Sequence, residues 1–132
     1  IVFGDWSSDV CSSDLKLLRI YMSNTDKFRH KPLYEVIVFA AKRYGIEGAT
    51  VLKGIMGYGG SSRINSLKLW EISEKLPVVI ELIDNGYKLE GFIDTIKPYF
   101  EKIDKGIVIT MESLHVLLYQ TGKKKQSTLR DK

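Results

Sequence analysis

What this 132-residue chain lacks narrows its chemistry before anything else is read. Its single cysteine, Cys11, cannot close an internal disulfide, and neither His30 nor His115 has a cysteine at zinc-ligand spacing. There is no Ser-His-Asp order with a nucleophile elbow. No Gly-Lys-Ser/Thr completes a phosphate loop. No apolar run reaches the ~18 residues that a membrane-spanning helix requires. Triad hydrolysis, P-loop phosphoryl transfer, structural zinc and membrane insertion are therefore without a carrier. A reducing, cytoplasmic setting and a protein that is not an enzyme are expected.

The chain does have the means to build one ordinary globular domain, with 44% apolar and 27% charged residues. The formal charge of +4 is unevenly placed. Lys123–Lys132 holds five basic residues and one acid, and the preceding chain holds 15 of each. The basicity is thus a tail on a neutral body, and no nucleic-acid partner is expected from charge alone. The tail has no core-forming pattern and is expected to be disordered. At the other end, Asp5–Leu15 carries a short imperfect repeat (DWSSDVCSSDL) with neither helical nor strand period. Residues 1–15 read as a non-native leader, 16–122 as the folded domain and 123–132 as a basic tail.

Within the domain the periodicities alternate. Leu17–Met22 is a β-prone run. Ser23–Lys31 is a polar loop, and Pro32 suits the first turn of a helix because its missing N–H costs nothing there. Leu33, Val36, Ile37, Ala40 and Tyr44 recur at helical spacing until Gly45 stops them. Ala49–Met56 reads as a second strand and Leu76–Ile83 as a third, with Pro77 at its start. Asp84-Asn85-Gly86 is turn chemistry. Leu89, Phe92, Ile93, Ile96 and Phe100 make a second amphipathic helix that Pro98 should kink or end early. Ile107–Thr110 is a fourth strand, and Leu114–Tyr119 reads as its continuation or a short fifth. The order is βαββαβ, an α+β ferredoxin-like sandwich with both helices on one face of an antiparallel sheet. The other face is expected to carry Leu, Ile, Val and Met, too apolar for free water, which predicts a homo-oligomer packed sheet against sheet.

Candidate chemistry concentrates in one stretch, Lys53-Gly54-Ile55-Met56-Gly57-Tyr58-Gly59-Gly60-Ser61-Ser62. Its glycines permit positive φ and close approach to a ligand, and successive N–H groups with Lys53 or Arg63 could hold an anion. A strand ending in a flexible, bulged loop is the plainer account. The loop from Gly59 to Lys75 is long for so small a domain, where ~2–5 residues would close a hairpin. Trp70 within it is costly to leave in water, so it docks on a partner or fills core. Glu101–Gly106 offers Lys105 beside Gly106, or an ordinary turn. His115 reads as packing or solvent-facing. His30, in the basic loop Lys27–Lys31, is either solvated or part of an anion site beside the first helix.

The motifs Leu33-Tyr34-Glu35, Gly48-Ala49-Thr50-Val51, Lys53–Gly59 and Leu76-Pro77-Val78-Val79-Ile80-Glu81 occur together and in this order. As a set they resemble an uncharacterised family of small bacterial and archaeal proteins grouped with the PII-like signalling proteins, over Lys16 to about Tyr119. The resemblance implies a homotrimer that binds an adenine nucleotide (ADP, ATP, AMP or a cyclic nucleotide) in clefts between subunits. No cofactor is required. It assigns Gly54, Gly57, Tyr58 and Gly59 to one wall of the cleft, and Asp104, Lys105 and Gly106 of a neighbour to the other. The loop bearing Gly60, Ser61, Ser62, Arg63 and Trp70 would be the arm that docks on a target protein, a transporter or an enzyme. One departure stands out. Better-known PII members carry two arginines just before a Thr-Gly pair, whereas here Leu118, Tyr119 and Gln120 precede Thr121-Gly122, and neither tyrosine nor glutamine replaces a bidentate guanidinium.

Rival readings share the βαββαβ order. A ligand-free structural trimer needs no cleft. An RNA-recognition domain would want stacking aromatics on strands one and three, where only Tyr21 is offered. An acylphosphatase-like site would want an arginine loop after strand one, where Arg29 and Asn24 stand.

Overall fold

The computed structural model describes residues 14–59, 65–66, 75–103, 106–120 and 122. Four strands make the main sheet: β1 (Leu15–Ser23), β4 (Gly48–Lys53), β7 (Pro77–Asn85) and β8 (Val108–Ser113). Two hairpins of two-residue strands accompany it, β2 (Lys27–Phe28) with β3 (Lys31–Pro32), and β5 (Met56–Gly57) with β6 (Asn65–Ser66). The described helices are α1 (Leu33–Tyr44) and α2 (Gly86–Glu101). The sheet order is β4-β7-β1-β8, antiparallel throughout. That is the ferredoxin-like arrangement, in which β1 and β7 are central and β4 and β8 form the edges.

Period-two burial on the central strands explains why the sheet forms as it does. Along β7, Val78, Ile80, Leu82 and Asp84 are buried; along β1 the same face holds Leu18, Ile20 and Met22. Ile20 pairs with both Ile80 and Ile109, which sets one apolar row under the helices. Leu33, Ile37, Ala40 and Ala41 of α1 and Leu89, Phe92 and Ile96 of α2 close that core from above. The helices approach closely because Gly91 has no side chain: a Cβ there would lie 2.4 Å from the Tyr44 hydroxyl. The Tyr44 and Phe92 rings pack with centroids 5.5 Å apart.

The helix limits follow local chemistry. Pro32 is the N-cap of α1, and Gly45 ends it at φ 97, a left-handed value that glycine adopts without strain. No loop separates β7 from α2. The strand runs to Asn85, whose side chain accepts from Lys88 N and so caps the helix. Asp84 is fully buried rather than part of a surface turn; its carboxylate accepts from the backbone N–H of Glu47 and of Asn85, with Lys88 Nζ 3.5 Å away. α2 continues through Pro98 to Glu101 and does not end early.

Other differences from expectation have geometric causes. β1 begins at Leu15, only 2% exposed and paired with Asn85, two residues before the expected strand start at Leu17. The expected continuation or fifth strand over Leu114–Tyr119 is absent: β8 ends at Ser113, and Leu114 N donates to Leu15 O, where its β1 partner starts. The second strand stops at Lys53 rather than Met56, because Met56 and Gly57 leave the sheet to pair with Ser66 and Asn65. The sheet face away from the helices is not uniformly apolar. Tyr21, Val79, Leu52 and Val108 form one row, but the next holds Arg19, Glu81, Thr50 and Thr110. Arg19 binds Glu81 at 3.0 Å and also pairs with Glu112. Hydrogen bonding to Glu81, opposed by burial and reinforced by Glu112, pushes the Arg19 pKa above its ordinary value.

Candidate functional site

The Gly-rich motif lies at the end of the sheet where β1 stops and β7 starts. Pro77 is the hub. It pairs with Ser23, and its carbonyl accepts from Gly54 N at 2.8 Å. Next to it, Asn24 and Leu76 are tied twice, Asn24 N to Leu76 O at 3.0 Å and Leu76 N to Asn24 Oδ1 at 2.9 Å. Asn24 is therefore a structural tether rather than the asparagine of an acylphosphatase-like loop, and Arg29 lies over the Phe28 ring.

The glycines act here through close approach rather than through positive φ. A Cβ on Gly54 would lie 2.7 Å from Pro77 Cγ, and one on Gly57 would lie 3.1 Å from the same atom. Among the described residues the one positive-φ glycine is Gly45. At Gly54 and Gly57 the chain needs glycine because the loop base folds flat against a proline ring. Gly59 and Gly106 have open space where a side chain would stand. Tyr58 is 72% exposed, alongside Ile55 at 73% and Met56 at 56%, an apolar and aromatic rim that the described residues leave largely uncovered.

Gly106 precedes β8 at the same end of the sheet, since Val108 pairs with Tyr21. It lies on the opposite edge from Gly54, however. With β4 and β8 three strand spacings apart, the two edges stand about 14 Å from each other. One chain therefore brings Gly54, Gly57, Tyr58 and Gly59 together but does not bring Gly106 to them. Asp104, Lys105, Gly60, Ser61, Ser62, Arg63 and Trp70 lie outside the described residues, as do residues 1–13 and the tail from Lys123. The β5–β6 pairing, which periodicity did not reveal, returns Asn65 and Ser66 to the Gly-rich base and divides the long loop in two.

The segment before Thr121-Gly122 is at the far end of the sheet. Tyr119 has its pKa raised by burial first, then by the charges of Glu47 and Asp84. An open groove of ≈ 380 Å³ lies at that end too, lined by residues including Lys16, Asn85, Tyr87, Glu90 and Met111. Among the described residues no cluster of three or more His, Cys, Asp or Glu is placed to hold a metal ion, and no helix is long and apolar enough to cross a membrane.

A four-stranded ferredoxin-like sheet with a glycine motif folded on the first residue of its third main strand defines the class to which this chain's fold belongs. In particular, the chain is a member of the DUF190 family, described as "Uncharacterized ACR", which it matches over residues 15–116. It is 39% identical over 102 residues to a UPF0166 protein of Aquifex aeolicus, covering 77% of this chain and 92% of that one. To a UPF0166 protein of Methanocaldococcus jannaschii it is 36% identical over 107 residues, covering 80% and 94%. Its fold is PII-like. It superimposes with TM-score 0.53 and 17% identity on CPII of Thiomonas intermedia, a nitrogen regulatory PII-like protein bound to ADP, AMP and bicarbonate, covering 76% of this chain and 87% of that one. A PII-like protein of Thermus thermophilus gives TM-score 0.52 at 19% identity, with 74% and 84% covered.

Proposed function

We propose that this protein is a non-enzymatic, PII-like regulator, a homotrimer that binds an adenine nucleotide or related phosphorylated anion between subunits and uses the loop after Gly59 to act on a target protein in the cytoplasm. The observation that carries this reading is the placement of Gly54–Gly59 and Gly106 at one end of the sheet but on opposite edges. A cleft using both walls needs two copies of the chain. The exposed row Tyr21, Leu52 and Val108 on the open face supplies apolar area for such an assembly. The likeness in fold to a protein bound to ADP and AMP supports the choice of ligand class. Asp104 and Lys105 would add the neighbour's polar groups. Ligand binding would move the loop only so far as its affinity differs between loop conformations.

Isothermal titration of the full chain with ATP, ADP, AMP and cyclic nucleotides tests the reading. A saturable signal with at least one of them is expected, lost in Gly57→Val while the assembly persists. Silence with all of them removes the sensor role.

A ligand-free trimer is the second reading, and one observation favours it. Contact with Pro77 accounts for Gly54 and Gly57 without any ligand. An RNA-binding role has less support, because Tyr21 pairs with Val79 and Val108 and has no aromatic neighbour on those strands.

A further inference from the structure

The β2–β3 hairpin gathers basic residues at its tip. Lys27, Arg29, His30 and Lys31 are all exposed, and so is Lys102 at the end of α2. Half-buried Phe28 organises them. Its ring has Arg29 Cζ 5.2 Å from its centroid and Lys102 Nζ 5.8 Å from it, both within cation–π range. Tyr99 backs the ring with its centroid at 4.8 Å, and Lys31 is the cross-strand partner of Phe28.

No carboxylate among the described residues pairs with these charges. Among the described residues Arg19, Lys88 and Lys97 each have a carboxylate partner, whereas Lys27, Arg29, Lys31 and Lys102 have none. The adjoining acid, Asp26, is only 4% exposed and accepts from Ser23 N, so its charge is turned inward. Exposed Glu101 neighbours Lys102 in the chain without forming an ion pair with it. Arg29 and His30 also hold left-handed backbone, φ 50 and φ 68, which non-glycine residues adopt at a cost. Two cations near one ring repel each other, and their attraction to the Phe28 ring holds Arg29 and Lys102 together at the tip.

We infer that the Lys27–Lys31 hairpin tip together with Lys102 is a binding surface for a compact polyphosphate anion. Charge density selects that class. Linked phosphates place several negative charges within a few ångströms, whereas carboxylates on one face of an extended acidic peptide stand ~7 Å apart. The Arg29 guanidinium grips two phosphate oxygens at once, and the lysines act as point charges around it. The chemistry is shared by inorganic polyphosphate and by the phosphate tail of a nucleoside triphosphate. Neither the inter-subunit cleft nor its glycines enter this assignment.

Titration of the full chain with inorganic tripolyphosphate, at low and at high salt, tests it. Saturable binding that weakens with salt is expected. The double variant Arg29→Gln/Lys102→Gln should bind about tenfold more weakly or worse. Lys97→Gln should bind as the parent does, and so should the tail variant Lys123→Gln/Lys124→Gln/Lys125→Gln. Circular dichroism checks the fold of each; if the double variant is unfolded, Lys31→Gln carries the same expectation. No binding by the parent, undiminished binding by the hairpin variants, or loss confined to the tail variant overturns the inference. ATP that competes with tripolyphosphate and weakens in the double variant identifies the nucleotide's tail as the source; ATP that does neither leaves inorganic polyphosphate. Gly57→Val should leave tripolyphosphate binding intact, so failure of the cleft reading and failure of this one are separable.

Discussion

Pro77 is pressed by two glycines, and this is where a single side chain decides most. A Cβ at position 54 would be 2.7 Å from Pro77 Cγ, inside any real contact distance, while Gly54 N must still reach Pro77 O. Gly54→Val is expected to cost about 1–3 kcal/mol through overpacking, read as a lower urea midpoint at unchanged slope. The opposite sign is expected at the hairpin tip. Arg29 and His30 occupy a two-residue turn with positive φ at both positions, the geometry that Asn-Gly adopts readily. The pair Arg29→Asn/His30→Gly should raise stability by about 1 kcal/mol in the same measurement, while removing the Arg29 guanidinium from the tip. Both residues drew attention in the sequence as parts of a basic loop. Their backbone state did not, because nothing in Lys-Phe-Arg-His-Lys announces a tight turn. The Gly-rich motif was legible as a motif, yet its reason was not: Pro77 is twenty-three positions beyond Gly54, and contact between them exists only after β4 and β7 pair.

At the scale of elements, both helices and the central strands follow from pattern. Apolar spacing with Pro32 and Gly45 delimits α1, and the run beginning at Leu76 becomes β7. What pattern could not give is the end of a strand, which depends on whether a partner is present. β8 stops where β1 runs out, although Leu114–Tyr119 is as β-prone as what precedes it. Tyr119 then comes under the charges of Glu47, just before edge strand β4, and of Asp84 on central strand β7. Burial and those two carboxylates raise its pKa, so the neutral phenol is favoured in the folded state. A raised folded pKa means stability that is full below the unfolded value of ~10 and lost as pH climbs through the folded one. Stability should therefore decline above about pH 10 more steeply in the parent than in Tyr119→Phe. Denaturation midpoints across that interval, with phenolate absorbance to follow ionisation, give the comparison; identical profiles would remove Tyr119 from the account.

For the whole molecule, two layers leave one sheet face open, and its composition is mixed. Tyr21, Leu52, Ile83 and Val108 are 38–57% exposed there, around the Arg19–Glu81–Glu112 ion cluster. A surface with an apolar row beside an ordered charge cluster suits a specific assembly better than nonspecific collapse, since the charges must meet polar partners in register. The full chain is expected to run as a trimer in multi-angle light scattering. Val108→Glu, which sets a third carboxylate on a face already holding Glu81 and Glu112, should shift it towards monomer without unfolding it. A monomeric parent would leave the open face unexplained and remove the two-copy cleft with it.

The order of the four main strands and two helices, much of the apolar core under those helices and the location of the Gly-rich segment were set by the sequence alone, because hydrophobic period, proline and glycine act over a few neighbouring residues. The tertiary structure alone decided why the glycines are needed, which polar residues cross the open face, and that Asp84 is a buried acceptor rather than a turn residue. It also decided that Arg29 and Lys102 meet around the Phe28 ring. Each of these depends on residues brought together from distant parts of the chain. Such proximity is settled by the pairing register and helix docking of the whole domain, which no local pattern records.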